Sequence, residues 1–336
     1  MKLKKFILQN LSKIKVKKNS KILITGCSGF IAKYLIEVLL DILQKKIHIL
    51  GVDSVKSDYT HKNFIFYKKN LVKNNLKNIF KKNKITTVIH LAGIPTPSEY
   101  KKNPLGTVFL NAELTKNLLE LSKESNSEFV YFSSSEIYGD PDKNNIPTKE
   151  NYKGNVSSIG PRSCYDESKR LGETYCYIYK TYFNLKCKII RPFNVYGHGM
   201  KKNDERIIPT FINKIHKSKS LTVFDNGKQM RSYCHIYDAI VMIINVIFNG
   251  NKFVYNVGNG SEEISASKLA IKMKKLLKSK VNVKKIKYPK KYPEDEPRRR
   301  CPDLSSIYSE FNYKPKVSLS EGIINTYNFL TNNKTT

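Results

Sequence analysis

Tyr165 and Lys169, four residues apart in Tyr165-Asp166-Glu167-Ser168-Lys169, could share a proton-transfer task. On a helix, positions i and i+4 are neighbours. A phenol near pKa 10 is a poor base at neutral pH. An adjacent ammonium favours the phenolate and lets the pair move a proton. In a chain this rich in lysine the spacing also arises by chance, so the pair needs support. Ser134, upstream and just after an apolar run, supplies it as a hydroxyl able to hold the same substrate oxygen. A second constellation is the turn Gly26-Cys27-Ser28-Gly29-Phe30-Ile31-Ala32. Its first glycine permits a tight turn and its second lets the backbone approach a pyrophosphate at a helix N-terminus, while Ala32 stands where a small residue allows close helix packing. Asp53 closes the next apolar run, where a carboxylate binds both ribose hydroxyls of NAD and repels the 2′-phosphate of NADP. The combination points to NAD-linked hydride chemistry.

The elements that position these residues follow from hydrophobic spacing. KILITG (21–26) reads as a buried parallel strand. From Phe30 to Leu43 the spacing is helical, with Ile31, Leu35, Val38, Leu39 and Ile42 on one face. IHILGVD (47–53), VIHLAG (88–93), FVYFSSS (129–135) and KIIRPFNVYG (188–197) read as further strands. Helices are expected around 105–123 and from Tyr165 to Phe183. This alternation argues for an α/β fold, a Rossmann-like doubly wound parallel sheet, followed by a smaller mixed substrate-binding part. The division expected is a basic extension over 1–20, an NAD-binding domain over 21–197 with a return segment at about 236–258, and a substrate domain over 198–235 and 259–330. FVYNVG (253–258) is a candidate return strand. PEDEPRRRCPD (293–303) reads as a proline-bounded charged loop outside the core.

Composition bounds the rest. Of 336 residues 40% are hydrophobic, with 21 Tyr and 16 Phe, which excludes wholesale disorder. No apolar run approaches the ~20 residues of a membrane span. The leader has only Phe6-Ile7-Leu8 as an apolar stretch, short of a secretory signal, so a cytoplasmic location is expected. The six cysteines are scattered, which supports neither a disulfide framework nor a structural metal site. The net charge of +32 invites a nucleic-acid reading. Only eight of the 60 basic residues are arginine and the lysines are spread throughout, so a solvated lysine surface with no specific nucleic-acid partner is expected.

The blocks TGCSGFIAKYL, VIHLAG, FSSSEIYGDP and YDESK followed by IIRPFNVYG resemble the extended short-chain dehydrogenase/reductase family, which acts on nucleotide sugars. They occur in the family's order and the resemblance spans about residues 20–330. IGPRSCYDESKRLGET, SSSEIYGDP and EDEPRRRCPD are most similar to its UDP-glucuronate decarboxylase branch. The resemblance implies catalytic roles for Ser134, Glu136, Tyr165 and Lys169. It implies NAD contacts from Gly26, Ser28, Gly29, Phe30, Ile31, Asp53, Leu91, Ala92, Gly93 and Asn111, together with Tyr165 and Lys169; Asn111 also supports the catalytic helix. It implies nucleotide-sugar contacts from Tyr100, Glu136, Asn194, Arg206, Arg231 and Arg300, with Arg300 facing a sugar carboxylate. It also implies a homodimer paired through helices 105–123 and 165–183.

The sequence departs from that pattern in places. Ala32 replaces the usual third glycine, Asn70 stands near a usual aspartate, His198-Gly199 replaces Gly-Pro, and Cys301 follows Arg300 where a second basic residue is usual. A UDP-sugar 4-epimerase shares the first oxidation and stays open as an alternative. A 4,6-dehydratase would want an Asp-Glu pair where Ser135-Glu136 stands. The non-enzyme alternative is an NAD-binding scaffold or polyanion-binding protein.

Overall fold

Seven parallel strands lie side by side in the order Val254–Val257, Cys187–Pro192, Glu128–Phe132, Thr87–His90, Lys21–Thr25, His48–Asp53 and Phe64–Lys68. The computed structural model describes residues 2–44, 46–288 and 296–332. The strand order reverses between Lys21–Thr25 and Thr87–His90. In doubly wound sheets, ligands bind in the crevice at the carboxyl ends of the strands at this switch point. Both Gly26 and the loop Leu91–Gly93 lie there.

The central strands carry near-continuous apolar runs because both faces are covered. Ile22 and Ile24 pack on one side with Leu35, Leu39, Ile240 and Ile244. Leu23 and Val88 face the other side, with Leu118, Phe129 and Cys176. Each such side chain, fully buried, contributes roughly 1.5–3 kcal/mol. The leader belongs to the first of these layers. Leu3–Asn10 is a helix whose Phe6 and Ile7 are buried.

Ile236–Asn249 is a helix buried on nearly every side, so no amphipathic spacing announces it. Two expected helices carry a wider turn inside them. Phe30–Glu37 passes into a π turn at Val38–Ile42, and Pro104–Val108 passes through a π turn at Phe109–Glu113 into Leu114–Glu124. The long helix runs over Ser163–Phe183. Arg191 pins it to the sheet with two bonds to Glu173, at 2.9 and 2.5 Å, and one to the Tyr138 hydroxyl at 2.7 Å.

Beyond Tyr196 a smaller core gathers Ile208, Phe211, Ile212, Leu221, Leu269, Met273 and Ile323. Its short strands include Met230–Ser232, which pairs antiparallel with Glu263–Ser265 and parallel with Arg299–Arg300. This corrects the expectation for 293–303. Residues 293–295 lie outside the described residues, but Arg300 and Cys301 are buried, 5% and 3% exposed. The stretch reads as solvent-facing because it is charged, yet Glu296 and Arg300 pair with partners inside the fold, while Arg298 stays exposed beside Asp140.

Candidate active site

The glycine turn is built by close backbone approach. Gly26 has φ +70°, and a Cβ there would lie 2.7 Å from the Ala92 nitrogen. Gly29 caps the helix that starts at Phe30, and its own Cβ would lie 3.0 Å from the Gly26 carbonyl. Asp53 reaches this turn from the next strand and accepts bonds from the Ser28 and Val55 amides, both at 3.0 Å. On the far side of the crevice, a Cβ at Gly93 would lie 3.2 Å from Asn111 Oδ1 and 3.7 Å from Lys169 Nζ. Asn111 Oδ1 is buried without a hydrogen-bond partner. A bare-backbone cradle, a carboxylate at the strand end and an orphaned acceptor together fit a dinucleotide. Ala32 is buried at 1% exposure, as close packing needs. Asn70 is exposed and spends its side chain on the Val72 amide at 3.0 Å.

The Tyr-Lys pair sits in the first two turns of Ser163–Phe183. Tyr165 is buried and stacks on Tyr100, with centroids 5.3 Å apart. Burial pushes its phenol well above 10; the hydrogen bond with Ser134 and the charge of Arg162 oppose this, while Glu136 and Asp166 add to it. Ser134 also caps the turn Ser135–Tyr138 by accepting from the Glu136 amide at 3.2 Å. Lys169 Nζ donates to the Phe132 carbonyl at 2.7 Å and lies 4.9 Å from the Tyr131 ring. Burial lowers its ammonium to about 7, against the opposing charge of Glu173. The π turn at Phe109–Glu113 carries Asn111, whose amide donates to Ser168 on the catalytic helix at 3.0 Å. Such turns re-aim side chains and recur at functional sites.

A buried cluster of ions surrounds Glu136. Its carboxylate pairs with Arg162 and with Arg300. Glu296 pairs with Arg162 at 2.5 Å, with Arg231 at 2.9 Å and with Arg300 at 3.7 Å. Arg162 Nε meets Asp166 at 3.3 Å. Burial would push the Glu136 carboxyl up, but Arg300 and then Arg162 more than reverse this and hold it well below the usual range. Asp166 goes the other way, raised by burial and by Glu136 with Arg162 only partly compensating. The hydroxyl of Tyr100 and the Nε of Arg300 are buried here without partners, two polar groups able to receive a ligand.

The structure thus brings together Ser134, Glu136, Tyr165, Arg231, Arg300 and Tyr100. Asn194 lies alongside, donating to the Ser232 carbonyl at 2.9 Å from a left-handed backbone at φ 39°. Arg206 is not joined to the cluster by any described contact. Asp204 takes its guanidinium at 2.7 Å. His198 instead stacks on Tyr237, at 5.6 Å. Three cluster members escaped the reading of individual residues: Arg162, Asp166 and Glu296. The available signal was the scarcity of arginine. In a chain that otherwise uses lysine, a retained arginine marks a place where the planar fork is needed, and Arg162, Arg191, Arg231 and Arg300 are all buried.

Residues 22–258 match the profile of the NAD dependent epimerase/dehydratase family. The chain is 32% identical over 311 residues to UDP-glucuronic acid decarboxylase 6 of Arabidopsis thaliana, covering 91% of this chain and 87% of that one. It is 30% identical over 323 residues to UDP-glucuronic acid decarboxylase 1 of Danio rerio, covering 93% and 73%. Its fold is similar to that of UDP-glucuronic acid 4-epimerase from Bacillus cereus, crystallised with UDP-glucuronic acid and NAD. The TM-score is 0.77 and the identity 26%, over 93% of this chain and 99% of that one. Profile, relatives and sheet order agree, and the chain belongs to the NAD dependent epimerase/dehydratase family, of the extended short-chain dehydrogenase/reductase type.

Proposed function

We propose that this chain converts UDP-glucuronate to UDP-xylose through a 4-keto intermediate, with NAD regenerated in each turnover. The observation that carries the reading is the arginine, Arg300, paired in one buried cluster with Glu136, the acid whose charge acts on the phenol of Tyr165. The similarity to UDP-glucuronic acid decarboxylases supports the same substrate. Gly26, Ser28, Gly29, Phe30 and Ile31 would hold the pyrophosphate of NAD and Asp53 its adenosine ribose. Leu91, Ala92, Gly93, Asn111, Tyr165 and Lys169 would hold the nicotinamide half. Bound NAD supplies the acceptor, and later the donor, of the hydride.

In this reading Tyr165 takes the proton of the sugar 4-hydroxyl as carbon 4 is oxidised. The ketone lies β to the carboxylate, so the carbon–carbon bond to the carboxylate breaks, carbon dioxide leaves, and its electron pair becomes an enolate. Tyr165 and Ser134 hydrogen-bond the oxygen on which that charge develops. Arg300 orients the carboxylate with two parallel bonds, Glu136 positions a water or proton donor, and Tyr100, Asn194, Arg206 and Arg231 hold the nucleotide sugar. Protonation at carbon 5, followed by return of the proton from Tyr165 to the oxygen on carbon 4 as that carbon is reduced again, would give the pentose.

Incubation of the purified chain with NAD and UDP-glucuronate should yield a UDP-pentose by mass and proton NMR. An unchanged mass with inverted carbon 4 would replace this reading by a 4-epimerase, which the fold likeness to a UDP-glucuronic acid 4-epimerase keeps in view.

Three further statements belong to the same proposal. The nucleotide domain spans 21–197 with 236–258, and the substrate domain 198–235 with 259–330. The active species is a homodimer joined through helices 104–124 and Ser163–Phe183, where Leu105, Tyr177 and Tyr182 are exposed apolar side chains; light scattering at the mass of a single chain would refute it. Among the described residues no helix is long and apolar enough to cross a membrane. A cytoplasmic location, where all six free thiols stay reduced, is checked by fractionation of the source cells.

A further inference from the structure

We propose that Arg162 is a positioning residue of this reaction: it fixes the Glu136 carboxylate from the start of the catalytic helix and ties it to the segment bearing Arg300. The inference rests on the functional reading above and concerns a residue that touches neither reacting atom.

Arg162 is 3% exposed and gives each of its three nitrogens to a different carboxylate. Nε meets Asp166 on its own helix at 3.3 Å, Nη1 meets Glu296 at 2.5 Å, and Nη2 meets Glu136 after the strand Glu128–Phe132. These three acids come from three separate stretches of chain. The Arg162 carbonyl in turn accepts the amides of Tyr165 at 2.9 Å and Asp166 at 3.0 Å. One side chain therefore joins the turn that holds Tyr165, the acid Glu136 and the segment 296–300. A lysine ammonium is a single compact charge and cannot present three directed nitrogens in a plane. The cluster of Arg162, Arg231 and Arg300 against Glu136, Asp166 and Glu296 matches three positive with three negative groups. Its geometry therefore depends on which arginine holds which acid.

The groups facing Glu136 are Arg162, Tyr165 and Asp166 of the catalytic helix and its start, Tyr100 of Pro97–Lys102, Arg231 of Met230–Ser232, and Arg300 with Glu296 of the last segment. Arg162 is second only to Arg300 among the charges that keep Glu136 ionised. With Arg162 gone, burial acts on Glu136 with less opposition and its carboxyl titrates at higher pH. Activity that requires the carboxylate is then lost earlier as pH falls, so the acid limb of the profile moves upward.

The test compares kcat and KM for UDP-glucuronate across pH in the full-length chain with NAD. Arg162→Lys should lower kcat about 10²-fold, the scale of a small misplacement, change KM less than about threefold, and move the acid limb of kcat upward. The double variant with Glu136→Gln should be no slower than the slower single variant, because the two act through one group. Asp166→Asn and Glu296→Gln, which loosen the other two anchors of Arg162, should lower kcat less, and because each removes a negative charge from beside Glu136 they should move the acid limb downward. They keep the test open should Arg162→Lys fail to fold. Wild-type kcat in these variants, an unmoved limb, or multiplying losses in the double variant would overturn the proposal. A wild-type chain that inverts carbon 4 instead would overturn only the decarboxylase reading, and the same pH comparison on that turnover still decides Arg162.

Discussion

Tyr165→Phe is expected to lower kcat with UDP-glucuronate by about 10³-fold, within the range removed with a positioned acid–base group, while NAD and UDP-glucuronate still bind. The substitution deletes one oxygen from a ring that is already buried and stacked on Tyr100 at 5.3 Å, so the packing of the site is retained. What is lost is the proton path. A bare phenyl ring cannot take the proton of the 4-hydroxyl, and Ser134 alone would face the developing negative oxygen. Burial raises the phenol and the neighbouring acids Glu136 and Asp166 raise it further. The resting protein therefore keeps Tyr165 protonated. Ionisation needs added positive charge, which the ammonium of Lys169 and the oxidised cofactor bring when the site is loaded. The check is single-turnover kinetics beside calorimetric binding. Retention of more than about a tenth of wild-type kcat would remove Tyr165 from its role, since no general base contributing 10²–10⁴-fold could be so dispensable.

The part of this site written in local spacing was readable from the chain alone. The glycine turn, Asp53, and Tyr165 with Lys169 announce themselves because each chemical need is met within one strand–turn–helix or one helical turn. The central strands were readable for a related reason: burial on both faces demands continuous apolar runs, as in KILITG. The strand Phe64–Lys68 was not readable, because it lies at the sheet edge with a half-exposed pattern. Ile236–Asn249 was hidden by the opposite circumstance, being buried all round and so without helical periodicity. The charged cluster was hidden by distance along the chain. Glu136, Arg162 and Glu296 are far apart in the sequence and are brought together by the fold, and no spacing rule links them. The run PEDEPRRRCPD misleads because charge usually marks solvent, whereas Arg300 lies against Glu136 and Glu296 inside the protein. Buried charges are tolerated when paired. A cluster of this kind is seen by asking why arginine, rare in this chain, survives at particular places.

Lys169→Met is expected to separate activity from stability. Turnover should fall about 10²-fold or more, because the charge that favours the Tyr165 phenolate is gone. The substrate-free and cofactor-free protein should nevertheless become more stable near neutral pH. Lys169 is 5% exposed, and burial brings its ammonium down to about 7 from an ordinary value of 10.5. Between those two values the unfolded chain holds a proton that the folded chain has released. Stability due to this residue therefore rises with pH from about 7 to 10.5, and at pH 7 and below the cost of burying the charge is fully or nearly fully present. A shift of this size corresponds to a few kcal/mol. The lost bond to the Phe132 carbonyl and the contact with the Tyr131 ring return about 1–2 kcal/mol of that. Methionine is unbranched like lysine and can occupy the same buried position without the charge. Denaturant unfolding at pH 6, 8 and 10 should show the variant ahead of wild type at pH 6 by roughly 2 kcal/mol, with the gap closing and then reversing toward pH 10. A variant that is less stable at pH 6, or a gap that ignores pH, would mean that the buried ammonium costs the fold nothing. Lys169 would then be a structural residue whose place beside Tyr165 is incidental. The outcome expected here makes it a strained catalytic residue, retained against stability because the proton transfer at Tyr165 requires its charge.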